Sequence, residues 1–228
     1  MEQKMLQFLQ NCRSIRQLKQ THLQIFIHGL QDSHFILPKL ISLSSSLDSL
    51  DYALHIFQTS YNPNVVAYNT IIKCFIGKTH KAALRIYNRM KASTMVTPNS
   101  FTFTFLIRCF ESFEAVQDGT VVHGDIVKLG FNSSVFVQNT LLDFYAKCGG
   151  DLESACRVFE EMPEKDVVSW NSMIGAYMSR GEIEPAIRLF DSMPERSIVT
   201  WNSIITGLSK VGNMDLARSV FQRMPGKK

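Results

Sequence analysis

The sequence has few charged residues and no long apolar run. Of its 228 residues only 19% are charged, below the usual quarter or so, while a normal 45% are hydrophobic. A disordered tail or a polybasic arm is therefore not expected. No run approaches the 18 or so apolar residues of a membrane span, and the opening Met1–Leu6 lacks the apolar core of a secretory signal.

Cysteine pairs and catalytic motifs are also missing. The five cysteines are odd in number and none forms a C-x-x-C pair, which argues against a zinc ribbon or a disulfide framework: Cys12, Cys74, Cys109, Cys148 and Cys156. The sequence contains no H-E-x-x-H, G-x-S-x-G, P-loop or G-x-G-x-x-G motif. We therefore expect no enzyme, no metal, no cofactor and no small-molecule substrate. The net charge of +4 permits a polyanionic partner without demanding one.

A 31-residue repeat dominates what is present. Met162-Pro163, Met193-Pro194 and Met224-Pro225 recur at this spacing, and so do Trp170-Asn171-Ser172 and Trp201-Asn202-Ser203. Such a period is typical of solenoid architectures, in which one supersecondary unit is copied along the chain.

Each repeat reads as two helices. Trp170, Met173, Ile174 and Tyr177 form one apolar stripe at helical spacing, and a second stripe follows at Ala186, Leu189, Phe190 and Met193. Gly181 supplies a turn between the stripes, and Pro194 ends the second helix because proline cannot continue it. The unit is thus a helix–turn–helix hairpin.

The same frame extends over the whole chain. We predict one continuous solenoid of residues 1–228, divided into units at 1–33, 34–64, 65–99, 100–134, 135–166, 167–197 and 198–228. A single hairpin cannot bury its apolar stripe alone, so stacked neighbours would form the core and polar residues of the inner helices would line a concave surface.

Two families of repeats share this hairpin. Tetratricopeptide repeats, which bind peptides, place small residues at positions 8 and 27 of a 34-residue unit. When Trp170 is counted as position 4, those positions hold Ile174 and Met193. The period here also varies from 31 to 35 residues. A protein-interaction scaffold of this type therefore remains one alternative, and a degenerate repeat array that has lost its ligand is another.

The chain resembles pentatricopeptide repeat proteins of the plant type that mixes P, L and S repeats. The matching segments are 65–72, 166–174 and 197–205, together with Tyr145-Ala146-Lys147-Cys148-Gly149 and the run 124–130 after His123. The order resembles L (degenerate), S, P, L, S, S, S. An extra glycine at Gly149-Gly150 departs from the pattern. Because the chain ends on a repeat, we expect a short member or a fragment without the C-terminal extension or deaminase domain of longer members.

The resemblance implies an all-α, right-handed α-solenoid that binds single-stranded RNA, one base per repeat. It assigns base reading to position 5 of each repeat and to its last residue. The pairs are Asn69 with Asn99, Thr104 with Ser134, Asn139 with Asp166, Asn171 with Ser197, and Asn202 with Lys228. In the first hairpin after residue 33, Pro38 stands at position 5 and cannot read a base.

Position 2 is the apolar residue between which bases stack in the family. Here it is held by Phe35, Val66, Phe101, Phe136, Val168 and Val199. Lys147 and Lys210, in the turns, are candidates for phosphate contact. By contrast, we expect Trp170, Trp201, His22 and His123 to be structural.

By the family's code, Asn with Asp resembles a uracil reader, and Asn with Asn or Ser resembles a pyrimidine reader that leans to cytosine. The expected role is to select a transcript site in a plant mitochondrion or chloroplast for RNA editing, processing or stabilisation. Catalysis would then come from factors supplied in trans. The N-terminal residues show no clear transit peptide.

Overall fold

The computed structural model describes residues 1–148 and 152–226. Within them the backbone forms fourteen α-helices and two 3-10 turns, Phe113–Ala115 and Phe131–Ser133, and no strand. The predicted all-α class is confirmed. In the same ranges, no helix has both the length and the apolar character needed to cross a membrane.

Helix boundaries follow local signals, as the hairpin Val167–Ser179 and Ile183–Ser192 shows. The Asp166 carboxylate accepts the Ser169 backbone N–H and caps the first helix. Gly181, at φ +74°, takes the left-handed conformation that turns the chain, which glycine adopts at no steric cost. The second helix ends at Ser192, just before Met193-Pro194, where proline would remove a backbone donor.

The chain divides into two compact units, Met1–Cys109 and Phe110–Lys228. The first unit contains seven helices: α1 Glu2–Asn11, α2 Ile15–Ile27, α3 Ile36–Ser46, α4 Leu50–Thr59, α5 Val65–Lys73, α6 His80–Ala92 and α7 Ser100–Ile107. Helices α1, α3, α5 and α7 pack side by side in one layer, and α2, α4 and α6 each pack against the two helices that flank them in sequence. Consecutive hairpins are therefore stacked.

The second unit repeats this arrangement. Its helices are α8 Val116–Lys128, α9 Val135–Cys148, α10 Glu153–Glu161, α11 Val167–Ser179, α12 Ile183–Ser192, α13 Ile198–Lys210 and α14 Met214–Arg223. Helices α9, α11 and α13 form one layer, while α10 and α12 each contact the two helices beside them in sequence.

One aromatic contact recurs between stacked hairpins. The Phe190 ring of α12 meets Trp201 of α13 edge-on at 4.9 Å between centroids, and Phe159 meets Trp170 in the same way at 5.0 Å. Such edge-to-face pairs stabilise a core by about 0.5–1.5 kcal/mol beyond the area that they bury. Trp201 is buried and Trp170 is half-buried, so both tryptophans belong to the packing between repeats.

The layer helices start in register with the sequence repeat. Five of them begin at the first residue of a repeat unit: Val65, Ser100, Val135, Val167 and Ile198. The other two begin one and two residues into their units, α1 at Glu2 and α3 at Ile36. Gly149 and Gly150, the extra-glycine site, lie outside the described residues. The class of each repeat and the continuity of the solenoid stay predictions.

Candidate nucleic-acid interface

In the six repeats from residue 34 onward, the second residue is an exposed apolar side chain. The exposed fractions run from 50% to 71% for Phe35, Val66, Phe101, Phe136, Val168 and Val199. Two residues further on, Tyr68 and Trp201 are buried. Single exposed hydrophobic residues are ordinary on a protein surface. However, these residues recur at the same position of consecutive stacked helices, so each layer carries a row of exposed apolar side chains.

The last residue of four repeats caps the helix that follows. Four side-chain oxygens accept a backbone N–H three residues on: Asn64 from Ala67, Asn99 from Thr102, Asp166 from Ser169 and Ser197 from Thr200. These bonds satisfy one of the orphan donors of a helix start. The capping role anchors the last residues beside the layer helices.

Asn69 and Asn99 meet, although 30 residues separate them. Asn69 Nδ2 donates to Asn99 Oδ1 at 3.0 Å, and the Thr102 hydroxyl donates to Asn69 Oδ1 at 2.6 Å. The Asn69 side chain is buried, while Asn99 is half-buried. The position-5 residue and the last residue of this repeat are thus joined as one polar group.

Asn139 and Asp166 form the same arrangement with greater exposure. Asn139 Nδ2 donates to Asp166 Oδ1 at 3.0 Å and to Oδ2 at 3.2 Å, and the Ser169 hydroxyl donates to Asn139 Oδ1 at 2.7 Å. Burial acts to raise the pKa of Asp166, but hydrogen bonds from Ser169, Asn139 and the Val168 backbone outweigh it and lower that pKa. The carboxylate is therefore ionised at neutral pH.

The other predicted readers are less connected. Asn171 Oδ1 and the Thr104 hydroxyl are buried without a hydrogen-bond partner. Ser197 caps α13, and Ser134 stands half-buried just before α9. Asn202 is exposed, whereas Lys228, its predicted partner, lies outside the described residues. Pro38 is buried within α3.

An open groove of about 460 Å³ runs along α11 and α13. Val199, Asn202 and Lys210 line it, so that a position-2 residue, a position-5 residue and a candidate phosphate-binding lysine share one surface. Gly175 and Ser179, on the opposite side, leave room because their side chains are small or absent. The two lysines lie in the last turn of a helix and not in the following turn, Lys147 in α9 and Lys210 in α13. Lys147 pairs with Asp143 at 2.8 Å and is exposed.

The two histidines are structural. His22 Nδ1 lies 2.8 Å from the Tyr52 hydroxyl and His123 Nδ1 lies 2.9 Å from that of Tyr145. Burial lowers the pKa of both rings, with His55 adding to the effect at His22, and they are neutral at pH 7. Over residues 1–148 and 152–226, no three His, Cys, Asp or Glu side chains gather as metal ligands.

Family models agree with this architecture. The PPR repeat family matches residues 63–111 and 165–199, the pentatricopeptide repeat domain matches 121–180, and a PPR repeat matches 199–228. The chain belongs to the pentatricopeptide repeat family. The prediction made from the repeat segments is therefore confirmed at the level of the family.

The similar proteins are longer than this chain. Pentatricopeptide repeat-containing protein At3g12770 of Arabidopsis thaliana is 39% identical over 72% of this chain and 24% of its own length. At3g26630, chloroplastic, from the same plant is 35% identical over 75% of this chain and 38% of its own length. The chain thus spans well under half of these relatives. The crystal structure of PPR10 from maize aligns with 94% of this chain and 37% of its own, at 17% identity and a TM-score of 0.47.

Sequence reasoning missed a third polar position in these pentatricopeptide repeats. Thr102, Ser169 and Thr200 are the third residues of their repeats, and each completes a capping box with the residue before the helix. The N-x-x-T, D-x-x-S and S-x-x-T patterns at these helix starts could have indicated the boxes. The contacts of Thr102 and Ser169 with the asparagine of the preceding repeat could not be predicted from spacing alone.

Proposed function

We propose that this pentatricopeptide repeat chain binds single-stranded RNA and selects its sequence. The observation that carries the proposal is the row of exposed position-2 side chains beside the Asn–Asn and Asn–Asp pairs. Bases stack on apolar and aromatic surfaces without regard to sequence, whereas amides and carboxylates read Watson–Crick edges. The exposed apolar residue recurs in six repeats, and the joined polar pair is present in two of them, as a reader of one base per repeat would use them.

The order of bases follows from the pairs. Read from the N-terminus along the RNA from 5′ to 3′, Asn69 with Asn99 would accept a pyrimidine and Thr104 with Ser134 any base. Asn139 with Asp166 would then accept uracil, and Asn171 with Ser197 cytosine. Asn202 would contact a further base, but the pair of Asn202 with Lys228 does not indicate which base.

The biological role is site selection without catalysis. The chain, as a P-, L- and S-type array, would mark a transcript in a plant organelle for editing, processing or stabilisation by factors supplied in trans. A relative named as chloroplastic supports an organelle. We propose a mitochondrion or a chloroplast as the compartment.

A selection experiment tests RNA binding and base choice together. The purified chain would be incubated with a randomised single-stranded RNA pool, and the bound RNA sequenced, beside an Asn139→Ala/Asn171→Ala variant. We expect enrichment of pyrimidines at two or three adjacent positions, which the variant loses. If neither protein enriched any RNA sequence, the proposal would be contradicted. Peptide ligands on the same face would then be tested.

Stacking has its own matched control. Phe136 on α9 and Phe221 on α14 are 52% and 51% exposed, but only Phe136 is at position 2. Phe136→Ala should weaken RNA binding about fivefold or more, since a base–aromatic stack contributes about 1–3 kcal/mol. Phe221→Ala should change the dissociation constant less than twofold. Equal losses in a fluorescence-anisotropy titration would show that the position-2 row does not hold bases.

A further inference from the structure

The Asn69–Asn99 and Asn139–Asp166 pairs each bond to a hydroxyl group, to which the family resemblance assigns no role. Thr102 and Ser169 are at position 3 of the repeats that follow Asn69 and Asn139. Their hydroxyls donate to the asparagine Oδ1 atoms at 2.6 and 2.7 Å, and both side chains are fully buried. Each asparagine side chain is therefore hydrogen-bonded to two residues, the last residue of its own repeat and the position-3 residue of the next repeat.

At Asn139 these contacts permit only one orientation of the amide. An amide turned by 180° exchanges its oxygen with its nitrogen, and thus its acceptor with its donors. Nδ2 faces both carboxylate oxygens of Asp166, where an amide oxygen would be repelled. The Ser169 hydroxyl accepts the Asp166 backbone N–H and donates to Asn139 Oδ1 at 2.7 Å, with Asp166 Oδ1 as a second acceptor at 2.9 Å.

At Asn69 a longer chain of bonds gives the same result. The backbone N–H of Thr102 donates to Asn99 Oδ1, which fixes the orientation of the capping amide. That oxygen also accepts Asn69 Nδ2, and Asn69 Oδ1 is left to the Thr102 hydroxyl. The capping box of one helix thus determines which atom the preceding asparagine presents.

We propose that the position-3 hydroxyl of the following repeat is a positioning residue for base selection. The hydroxyl holds the asparagine so that one N–H and one oxygen lone pair remain at fixed places for the base. Uracil and cytosine differ in where their Watson–Crick edge donates and accepts, so an amide free to turn would pair with either. This inference rests on the proposed RNA binding.

The chain contains a natural control at Thr200. Its hydroxyl completes a capping box with Ser197, as Ser169 does with Asp166. However, the Asn171 Oδ1 of the preceding repeat has no hydrogen-bond partner. Thr200→Ala therefore breaks a capping box without removing a hydrogen bond from an asparagine, whereas Ser169→Ala removes both the capping-box bond and the bond to Asn139 Oδ1.

The experiment measures the uracil-to-cytosine ratio in RNA selected from a randomised pool, at the nucleotide that Asn139→Ala affects. We expect Ser169→Ala to reduce this ratio about three- to tenfold, the effect of one hydrogen bond. Ser169→Thr should retain the ratio, since threonine fits the buried position 3 elsewhere in the chain. Thr200→Ala should leave the ratio at the Asn171 nucleotide unchanged, although it lowers the melting temperature as Ser169→Ala does.

A second readout requires no RNA. In the folded chain the Asn139 side-chain amide should give one sharp pair of NMR signals that broadens in Ser169→Ala and is restored in Ser169→Thr. Selective RNA binding with an unchanged uracil-to-cytosine ratio in Ser169→Ala would overturn the positioning role alone. Absence of any selectivity in the unaltered chain would overturn the proposed function, and the positioning role with it.

Discussion

Asp166 performs two tasks with one carboxylate. It caps α11 through the Ser169 backbone N–H, and it accepts both hydrogen bonds from the Asn139 amide. A capping residue is constrained in position by the helix that it starts. The last residue of a repeat is therefore held in place independently of any ligand, which is the preorganisation that a base reader needs.

The lowered pKa of Asp166 predicts a pH-dependent stability. An acid whose pKa is lower in the folded chain than its unperturbed 3.8 stabilises the fold above that value and loses this contribution as pH falls through the folded pKa. The difference in free energy of unfolding between the unaltered chain and Asp166→Asn should be constant above about pH 5 and shrink at lower pH. Urea unfolding between pH 7 and pH 3 measures it; a difference that grows on acidification would contradict this assignment.

At the scale of helices, glycine marks where two elements touch. Gly119 of α8 lies against the Phe144 ring of α9, and a Cβ there would overlap the ring. Gly124, one and a half turns further along α8, has open space around its Cα. Two glycines of one helix thus differ in whether a neighbour depends on them.

This contrast predicts opposite effects of the same substitution. Gly119→Ala should destabilise the chain by about 1–3 kcal/mol because a packed ring has to move. Gly124→Ala should stabilise it by about 0.5–1 kcal/mol, since alanine is the better helix former. Urea unfolding of both variants at pH 7 tests the pair. A loss of stability in both variants would contradict the difference in packing between the two positions.

The repeat explains why so much of the architecture can be predicted from the sequence. Each hairpin encodes its own ends, through a capping residue before Val167 and a proline after Met193, and the apolar stripe shows which face is buried. The position-3 contacts could not be predicted from the sequence. Ser169 bonds to an asparagine 30 residues earlier, and this contact depends on how two helices stack. For the same reason, the sequence could not predict that Asn69 is buried and that Asn202 is exposed.

At the scale of the molecule, charged residues are few, and their positions should affect RNA affinity more than the net charge does. The excess of 24 basic over 20 acidic residues is only four. A weakly basic protein gains little from long-range attraction to RNA. Affinity should then depend on a few cations beside the row of position-2 residues, among which Lys210 lines the groove with Val199 and Asn202.

The salt dependence of binding separates placement from net charge. Lys210→Ala and Lys128→Ala each reduce the net charge from +4 to +3, but Lys128 ends α8, a helix that carries no position-2 residue. A contact with one phosphate of a single strand contributes about 0.7 to the slope of log affinity against log salt. We expect Lys210→Ala to reduce that slope by about this amount and Lys128→Ala to leave it nearly unchanged in anisotropy titrations from low to high salt. Equal reductions in the two variants would mean that RNA senses only the overall charge of the chain, and the groove along α11 and α13 would then not be its path.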